Sequence, residues 1–264
     1  MSHFYITLPS DSSMSFFPNN TIAEFTTKLP DRIILDGDYE VALSELIYPH
    51  SFSNIRNDDR SLYIEVRRSN DGSLESRYML DNDYYENTSE FLEKLSKKVN
   101  ATFQFNPTLS SFSVIFSQNP LGRIVNMELK CSRAFMLYFS DALKTKLGFC
   151  KSGPFTRGTY GGIESLDIHA GHRLMYVYCD IAAYSTIGNT KSPLLRVCDV
   201  NGKHGNMNRV TFTRPFYVPI ARREFDTVVI NIRDELGRLM PFEFGKSVAT
   251  LHFRRSHSLL TLIS

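Results

Sequence analysis

Residues 225–237 read FDTVVINIRDELG, and this stretch decides the fold class. Val228, Ile230 and Ile232 recur at two-residue spacing, so they lie on one side of a β-strand, and Phe225 extends this apolar face. The last four residues, DELG, are typical of a turn. The pattern predicts a strand that covers a core with one face, followed by a turn into a further strand at residues 238–244.

Four other segments have the same short, apolar-rich character: RLMYVYCDIAAY (173–184), PLLRVCDV (193–200), RVTFTRPFYVPI (209–220) and SVATLHFRR (247–255). Turn residues separate them at intervals typical of a sandwich or barrel. Nearer the start, we expect a strand at residues 21–29, ended by Pro30, and another at residues 39–49. Helical patterns occur only in the middle of the chain, which argues against a doubly wound parallel sheet. The sequence therefore predicts a mainly β protein.

Residues 55–150 have a mixed pattern that predicts an α+β elaboration inserted into the strand framework. A helix is expected at about residues 88–99, because four apolar residues recur there at helical spacing behind the capping residue Asn87. The other expected elements are a hairpin turning at residues 69–72, a hairpin of residues 101–105 with 110–117, a strand at 124–130 and a short helix between Ser140 and Gly148. Residues 153–171 are rich in Gly, Ser and Thr, and we expect a long exposed loop there.

The composition gives no global reason to expect nucleic-acid binding, because 30 Lys and Arg face 28 Asp and Glu in a chain of 264 residues. Arg254 and Arg255, with His257, leave two alternatives open: contact with phosphate, or charges that blunt the exposed edge of a strand. No export signal or apolar run of membrane-spanning length is present, so we expect an intracellular protein without a membrane partner. The cysteines lack CxxC spacing and are expected to be reduced, mostly buried thiols at Cys131, Cys150, Cys179 and Cys198.

Three patterns resemble chemical motifs, and each is better explained by ordinary structure. Residues 245–247, GKS, lack the earlier glycine of a phosphate-binding loop, and a strand pattern follows them. His169 and His172 have the spacing for a shared metal but no further ligand cluster, so a solvated loop is favoured. The adjacent acids at residues 234–235 lie in a turn and do not converge on one substrate. We therefore predict no enzyme activity, no metal and no cofactor.

Three long segments, taken in order, resemble the minor capsid (penton) protein of Polinton, or Maverick, self-synthesising DNA transposons. They are residues 12–30 with 36–49, SSMSFFPNNTIAEFTTKLP and DGDYEVALSELIYP; residues 174–200, LMYVYCDIAAYSTIGNTKSPLLRVCDV; and residues 216–255, FYVPIARREFDTVVINIRDELGRLMPFEFGKSVATLHFRR. The resemblance spans nearly the whole chain and is weakest at residues 55–150.

The resemblance implies a jelly-roll β-sandwich related to virophage pentons, with a single capsid domain over residues 1–264 and an inserted α+β subdomain at 55–150. It implies a homo-pentamer at the fivefold vertex of an icosahedral virion or virus-like particle. The partner would be the double jelly-roll major capsid protein of the same element. The family signature falls on Phe17, Pro18, Glu40, Leu43, Pro49, Gly188, Pro193, Leu194, Leu195, Arg196, Pro219, Phe225, Gly237, Pro241, Phe242, Gly245, Leu251, His252 and Phe253.

Eight residues are our candidates for assembly or structural roles: Pro193, Leu194, Leu195, Arg196, Pro241, Phe242, Arg254 and Arg255. For Arg196 we expect a structural ion pair or an interface contact. The apolar residues 259–263 have two interpretations, an arm that adds to a neighbour's sheet edge or a last core strand.

Two other functions remain as alternatives. One is a β-sandwich that binds carbohydrate or peptide at the loop of residues 153–172. The other is a hydrolase with an unrecognised site, although no set of nucleophile, base and orienting residue can be nominated.

Overall fold

A computed structural model describes residues 3–58, 60–119, 124–149, 153–169 and 172–256. The chain divides into two compact units: the framework unit, residues 1–52 with 171–264, and the inserted unit, residues 53–170. Within these described ranges, no helix is long and apolar enough to cross a membrane.

The strands, in chain order, are β1 (His3–Pro9), β2 (Glu24–Ile34), β3 (Tyr39–Pro49), β4 (Tyr63–Arg68), β5 (Leu74–Met79), β6 (Ser113–Gln118), β7 (Ile124–Lys130), β8 (Phe135–Phe139), β9 (Gly158–Ser165), β10 (Leu174–Cys179), β11 (Ser185–Ile187), β12 (Thr190–Ser192), β13 (Leu194–Asp199), β14 (Met207–Thr211), β15 (Val218–Pro219), β16 (Glu224–Arg233) and β17 (Val248–Arg255). The helices are α1 (Thr88–Gln104) and α2 (Asp141–Leu147), with a 3-10 turn at Pro107–Leu109.

Among the described residues, the framework unit contains two large antiparallel sheets, besides the small sheet of β11 and β12. The strand orders of the two large sheets are β1-β17-β3-β14, with β15 beside β3, and β13-β10-β16-β2. Apart from the two-residue β15, the eight strands of these two sheets pair in nested order. The pairs, from the outermost to the innermost in the chain, are β1 with β17, β2 with β16, β3 with β14 and β10 with β13. This nested pairing is a long hairpin rolled into two sheets, which is the jelly-roll arrangement. The predicted jelly-roll sandwich is confirmed.

The core of the framework unit comes from the alternating faces of the central strands. Val228, Ile230 and Ile232 of β16 are fully buried, as the spacing in the sequence predicts. Phe253 of β17 is also fully buried, and its ring stacks on Phe4 with 4.7 Å between ring centroids. The two sheets therefore enclose one apolar layer, which is the main source of stability in such a sandwich.

Pro30 does not end β2, contrary to the prediction. The strand continues to Ile34, and its pairing with β16 shifts register around Pro30: Lys28 is opposite Thr227, and Ile33 is opposite Phe225. The extra residues of β2 bulge out of the ladder, so the missing N–H of proline interrupts no regular pair. β2 lies at the edge of its sheet, where such a bulge is tolerated.

The inserted unit has its own core and two three-stranded sheets, ordered β5-β4-β8 and β6-β7-β9. Helix α1 begins behind Asn87, whose side chain accepts a hydrogen bond from Glu90 N, as predicted. Helix α2 is capped by Ser140 and ends at Gly148 in the left-handed conformation, also as predicted. The boundaries 55–150 of an independent subdomain stay a prediction, beside the compact unit of residues 53–170.

Three predicted elements are wrong. Residues 101–104 continue α1 instead of forming a strand, because Phe103 extends the buried face of the helix by one turn beyond Val99. Residues 158–165 form β9, paired with β7, inside the segment that we expected to be a loop. Residues 238–244 form no strand among the described residues, and only an isolated bridge joins Arg233 to Leu239.

Candidate assembly surfaces

The first four candidate residues lie at one edge of the sandwich, where β13 borders its sheet. Leu195 is buried in the core, and the carbonyl of Pro193 accepts a hydrogen bond from Cys179 N. Arg196 lies on the other face of the strand, with its guanidinium 4.6 Å from the centroid of the Phe212 ring. Phe212 directly follows β14, the edge strand of the opposite sheet. The cation–π contact therefore joins the edges of the two sheets.

Of the two alternatives expected for Arg196, the ion pair is not formed with any of the described acidic residues, since the guanidinium contacts Phe212, and the interface contact stays a prediction. We expect Arg196→Ala to lower the free energy of unfolding by about 0.5–1 kcal/mol, the usual contribution of a cation–π contact at an exposed site. Arg214→Ala, which removes an exposed arginine two residues after Phe212, is the matched control and should change stability less. Urea unfolding of the two variants checks this, and equal losses would contradict a specific role for Arg196.

Pro241 and Phe242 lie between β16 and β17. The ring of Phe242 packs against Tyr48 and Phe52, with centroid distances of 6.3 and 6.1 Å. Phe242 therefore anchors this long connection to the core.

The side chain of Arg254 contacts other residues of the framework unit. Its guanidinium donates two hydrogen bonds to Glu40 Oε2, at 3.0 and 2.9 Å, and lies 3.5 Å from the centroid of the Tyr217 ring. Arg255 is exposed, and its guanidinium lies beside Gly37. His257 lies outside the described residues. Since Arg254 is already paired, Arg255 is the member of this basic pair that is more available to a partner.

An aromatic row crosses the outer face of the first sheet next to Arg254. The ring of Tyr5 stacks on His252 with centroids 4.2 Å apart, and His252 Nδ1 shares a 2.7 Å hydrogen bond with Tyr217 Oη. His3 contacts His252 edge-on at 5.5 Å. Tyr5 is 58% exposed, so the row forms part of the molecular surface. Tyrosine and arginine are enriched at the centres of protein interfaces, which makes this face a candidate contact surface.

The pKa of His252 is lowered, first by burial of the ring and then by the nearby His3 and Arg254. The unfolded chain, with an ordinary histidine pKa of about 6.5, therefore takes up a proton more readily than the folded chain. We expect the free energy of unfolding to fall as the pH drops from 8 through 6.5 and on to the lower pKa of the folded state. Urea unfolding of wild type and His252→Gln between pH 8 and 5 checks this. Identical pH dependence in both proteins would contradict it.

The free edge of β2 is covered by the loop that precedes it. Asn20 donates from Nδ2 to Thr26 O and accepts at Oδ1 from Thr26 N, both at 2.9 Å, so one amide side chain imitates a neighbouring strand. Ser13 Oγ accepts a hydrogen bond from Lys28 N at 3.0 Å. Both backbone groups of Thr26 and the N–H of Lys28 therefore have partners within the subunit, which leaves little of this edge open to another strand.

The inserted unit protects β6 in the same way, using α1. Asn100 donates to Val114 O and accepts from Val114 N, both at 2.8 Å. One helical turn to either side, Ser96 Oγ accepts from Phe116 N and Gln104 Nε2 donates to Phe112 O. The polar residues recur every four positions along the helix and meet alternate residues of the strand. This edge is closed to other strands.

The free edge of β1 differs from those of β2 and β6. Among the strands that the structure describes, β1 pairs only with β17, in a regular antiparallel register from His3 to Pro9. Among the described residues, no side chain forms a hydrogen bond with the backbone of residues 4–8. This edge therefore remains available to a further strand.

The residues that resemble chemical motifs have structural roles. Asp234 Oδ1 accepts hydrogen bonds from Leu236 N and Arg238 N, whereas Glu235 Oε1 accepts from the backbone before β10. The two carboxylates point to different partners, as expected. Gly245 has φ +94° in the turn before β17, and Lys246 Nζ lies 3.4 Å from Asp11 Oδ2. The three residues 245–247 therefore form the entry to a strand.

The two histidines belong to different compact units. His169 lies in the inserted unit. Among the described residues, no group of three or more His, Cys, Asp or Glu side chains is arranged to hold a metal ion. His172, in the framework unit, is buried with its ring stacked on Phe52 at 5.6 Å. The expected solvated loop is therefore wrong at His172.

Burial raises the pKa of the two cysteines that lie in the core of the framework unit. Cys179 and Cys198 are buried free thiols, as predicted, and burial raises the pKa of each to about 12. Both thiols stay protonated at neutral pH and are poor nucleophiles. Cys131 is half-buried, and Cys150 lies outside the described residues.

The eight candidate residues therefore do not form one site. They lie at the edge strand β13, in the connection before β17 and at the end of β17. Sequence reasoning missed the edge-covering residues Asn20 and Asn100. A signal for the second was present, since Ser96, Asn100 and Gln104 recur every four residues along a helix.

The sequence matches no protein-family model and no curated protein. The fold is similar to that of the mavirus penton protein, in its selenomethionine-labelled crystal structure, with a TM-score of 0.51 and 10% identity. The similarity covers 96% of this chain and 99% of that chain. The cryo-EM structure of the Sputnik virophage aligns with a TM-score of 0.46 and 11% identity, over 97% of this chain and 98% of that one. This chain and the mavirus penton protein thus share a fold over nearly the full length of both.

Proposed function

We propose that the protein is a structural capsid subunit that forms the vertex of an icosahedral particle. The observation that carries this proposal is the jelly roll with its inserted unit, which shares the fold of a penton protein from end to end. Fold alone does not determine function. The proposal therefore also draws on the character of the surfaces, where one sheet edge is uncovered and aromatic side chains are exposed.

The proposed assembly is a ring of five copies. A contact between two different surfaces of identical subunits is head-to-tail, and it closes into a ring when its rotation fits a whole number of copies. The net charge of +2 limits repulsion between closely packed copies. The proposed partner is a double jelly-roll major capsid protein, and the proposed source is a Polinton or Maverick element, on the sequence resemblance of the three segments.

Size-exclusion chromatography with light scattering tests the oligomeric state of the full chain. Five copies of the 30.3 kDa chain would give a mass of about 150 kDa for a closed ring. A mass of one chain at high concentration, with no association when a double jelly-roll coat protein is added, would contradict the proposal.

The structure does not favour the alternative of a carbohydrate or peptide site at residues 153–172. Within the segment expected to be a loop, residues 158–165 form β9, which pairs with β7 and places Gly158 opposite Leu129. We therefore propose the role of a vertex subunit and not that of a carbohydrate or peptide binder.

A further inference from the structure

β1 has the properties of a strand edge that receives another strand. It has seven residues, HFYITLP, with no Asp, Glu, Lys or Arg, and its pairing with β17 has no register shift. Natural proteins usually protect such an edge with charge, proline inside the strand, a bulge or a covering segment. β2 and β6 have such covers, whereas the middle of β1 has none among the described residues.

The core is also incompletely covered at this edge. Phe4 and Ile6 point inward, towards the apolar layer, but both are only half-buried. Their partners on β17, Phe253 and Leu251, are fully buried. A strand added to β1 would place apolar side chains over Phe4 and Ile6, while its backbone would pair with the free edge.

Residues 257–264, HSLLTLIS, lie outside the described residues, and their sequence has the composition of such a strand. They contain four apolar residues, Leu259, Leu260, Leu262 and Ile263, and no Asp, Glu, Lys or Arg. Both alternating faces of an extended segment would therefore be largely apolar. At about 3.3 Å per residue, these eight residues extend over about 26 Å, and the seven residues of β1 over about 23 Å. The lengths match.

The position of β17 favours a neighbour's β1 over the chain's own. β17 lies between β1 and β3, and Arg254 near its end is opposite His3. To reach the free edge of its own β1, the chain would have to cross two strand spacings, about 10 Å, which uses about three of the eight residues. Pairing with its own β1 would therefore leave about five residues for the ladder, fewer than the seven residues of β1.

We propose that residues 257–264 of one copy add as a strand to the free edge of β1 in a second copy. The inference rests on the proposed self-assembly and names the surfaces that carry it. Donor and acceptor are different surfaces, so the contact is head-to-tail and compatible with a closed ring.

The test compares the wild-type chain with the double variant Leu259→Asp/Leu260→Asp, which places one charge on each alternating face of the segment. The control is Leu74→Asp/Leu236→Asp, which places the same changes at leucines that are 51% and 66% exposed. We measure mass by light scattering across a dilution series, and hydrogen exchange of the amides of residues 3–8. The tail variant should associate about 100-fold more weakly, because whichever face is buried loses one leucine side chain and gains a carboxylate, and the β1 amides should exchange faster. The control should behave as wild type.

The possible results separate this inference from the proposed function. If both variants form the wild-type ring with unchanged β1 exchange, the strand addition is wrong and the capsid role stands. If the β1 amides are equally protected from hydrogen exchange in wild-type monomers at high dilution, the strand adds within one copy, and strand addition between copies is wrong. If β1 amides are protected in the assembled tail variant, β1 pairs with another partner, such as β1 of a second copy. A wild type that never self-associates overturns the strand addition, and the capsid role fails as well only if the chain also does not associate with an added double jelly-roll coat protein.

Discussion

Replacing Phe253 by alanine is expected to lower the free energy of unfolding by about 3–5 kcal/mol, the range found when a buried phenylalanine is truncated. The ring is fully buried near the end of β17, a central strand of its sheet. It stacks on Phe4 at 4.7 Å within the sheet and on Phe225 at 6.0 Å from the opposite sheet. The cavity would open where the two sheets meet, so the surrounding side chains can relax only partly.

The matched control for Phe253→Ala is Tyr5→Ala, on the neighbouring strand but 58% exposed. It loses the stacking on His252 and should cost about 1 kcal/mol or less. Urea unfolding measures both, and Phe253→Leu extends the series if the alanine variant does not fold. Equal losses for the buried and the exposed aromatic ring would contradict the two-layer core.

Replacing Asn100 by alanine is expected to destabilise the inserted unit by about 2–3 kcal/mol, because Val114 loses partners for both its N–H and its carbonyl. Asn100→Asp sharpens the prediction. A carboxylate keeps an acceptor for Val114 N but faces Val114 O without a donor. Despite its similar shape, aspartate should therefore also destabilise. Both variants expose the edge of β6 and should increase self-association.

Lys97→Ala is the control on the same helix. Its amine forms an ion pair with Glu93 at the surface, a contact that contributes about 0.3–0.5 kcal/mol. Thermal unfolding and light scattering measure stability and association for the three variants. If Asn100→Asp is as stable as wild type, the two-sided pairing with Val114 is not what closes this edge.

The period of two in the sequence was enough to predict β16 and β17, since buried and more exposed residues alternate along most of their length. β3 also forms as predicted, although its consecutive residues Val41, Ala42 and Leu43 are all buried. The same reasoning failed for β9, where Gly161 and Gly162 remove the side chains that would reveal a period. It also failed for residues 101–104, because a segment of alternating apolar residues following a helix fits both a strand and another helical turn.

The pairing of β1 with β17 could not be derived from pattern alone. It joins His3 to Arg254 across nearly the whole chain, and no local signal specifies such a partner. For the same reason, the candidate assembly surfaces were only partly predicted. Arg196 was identified as important, but its contact with Phe212 depends on which strands form the edges of the two sheets. The role of Asn20 is visible only once those edges are known, whereas the four-residue spacing around Asn100 was a signal in the sequence.

Our central proposal is that this jelly-roll protein assembles at the vertex of an icosahedral particle. Electron microscopy of the protein coexpressed with a double jelly-roll coat protein tests it directly. We predict icosahedral particles whose fivefold vertices are filled by rings of five copies of this chain. Particles that close fully with other density at the vertices, while this protein stays outside them as a monomer, would contradict the claim.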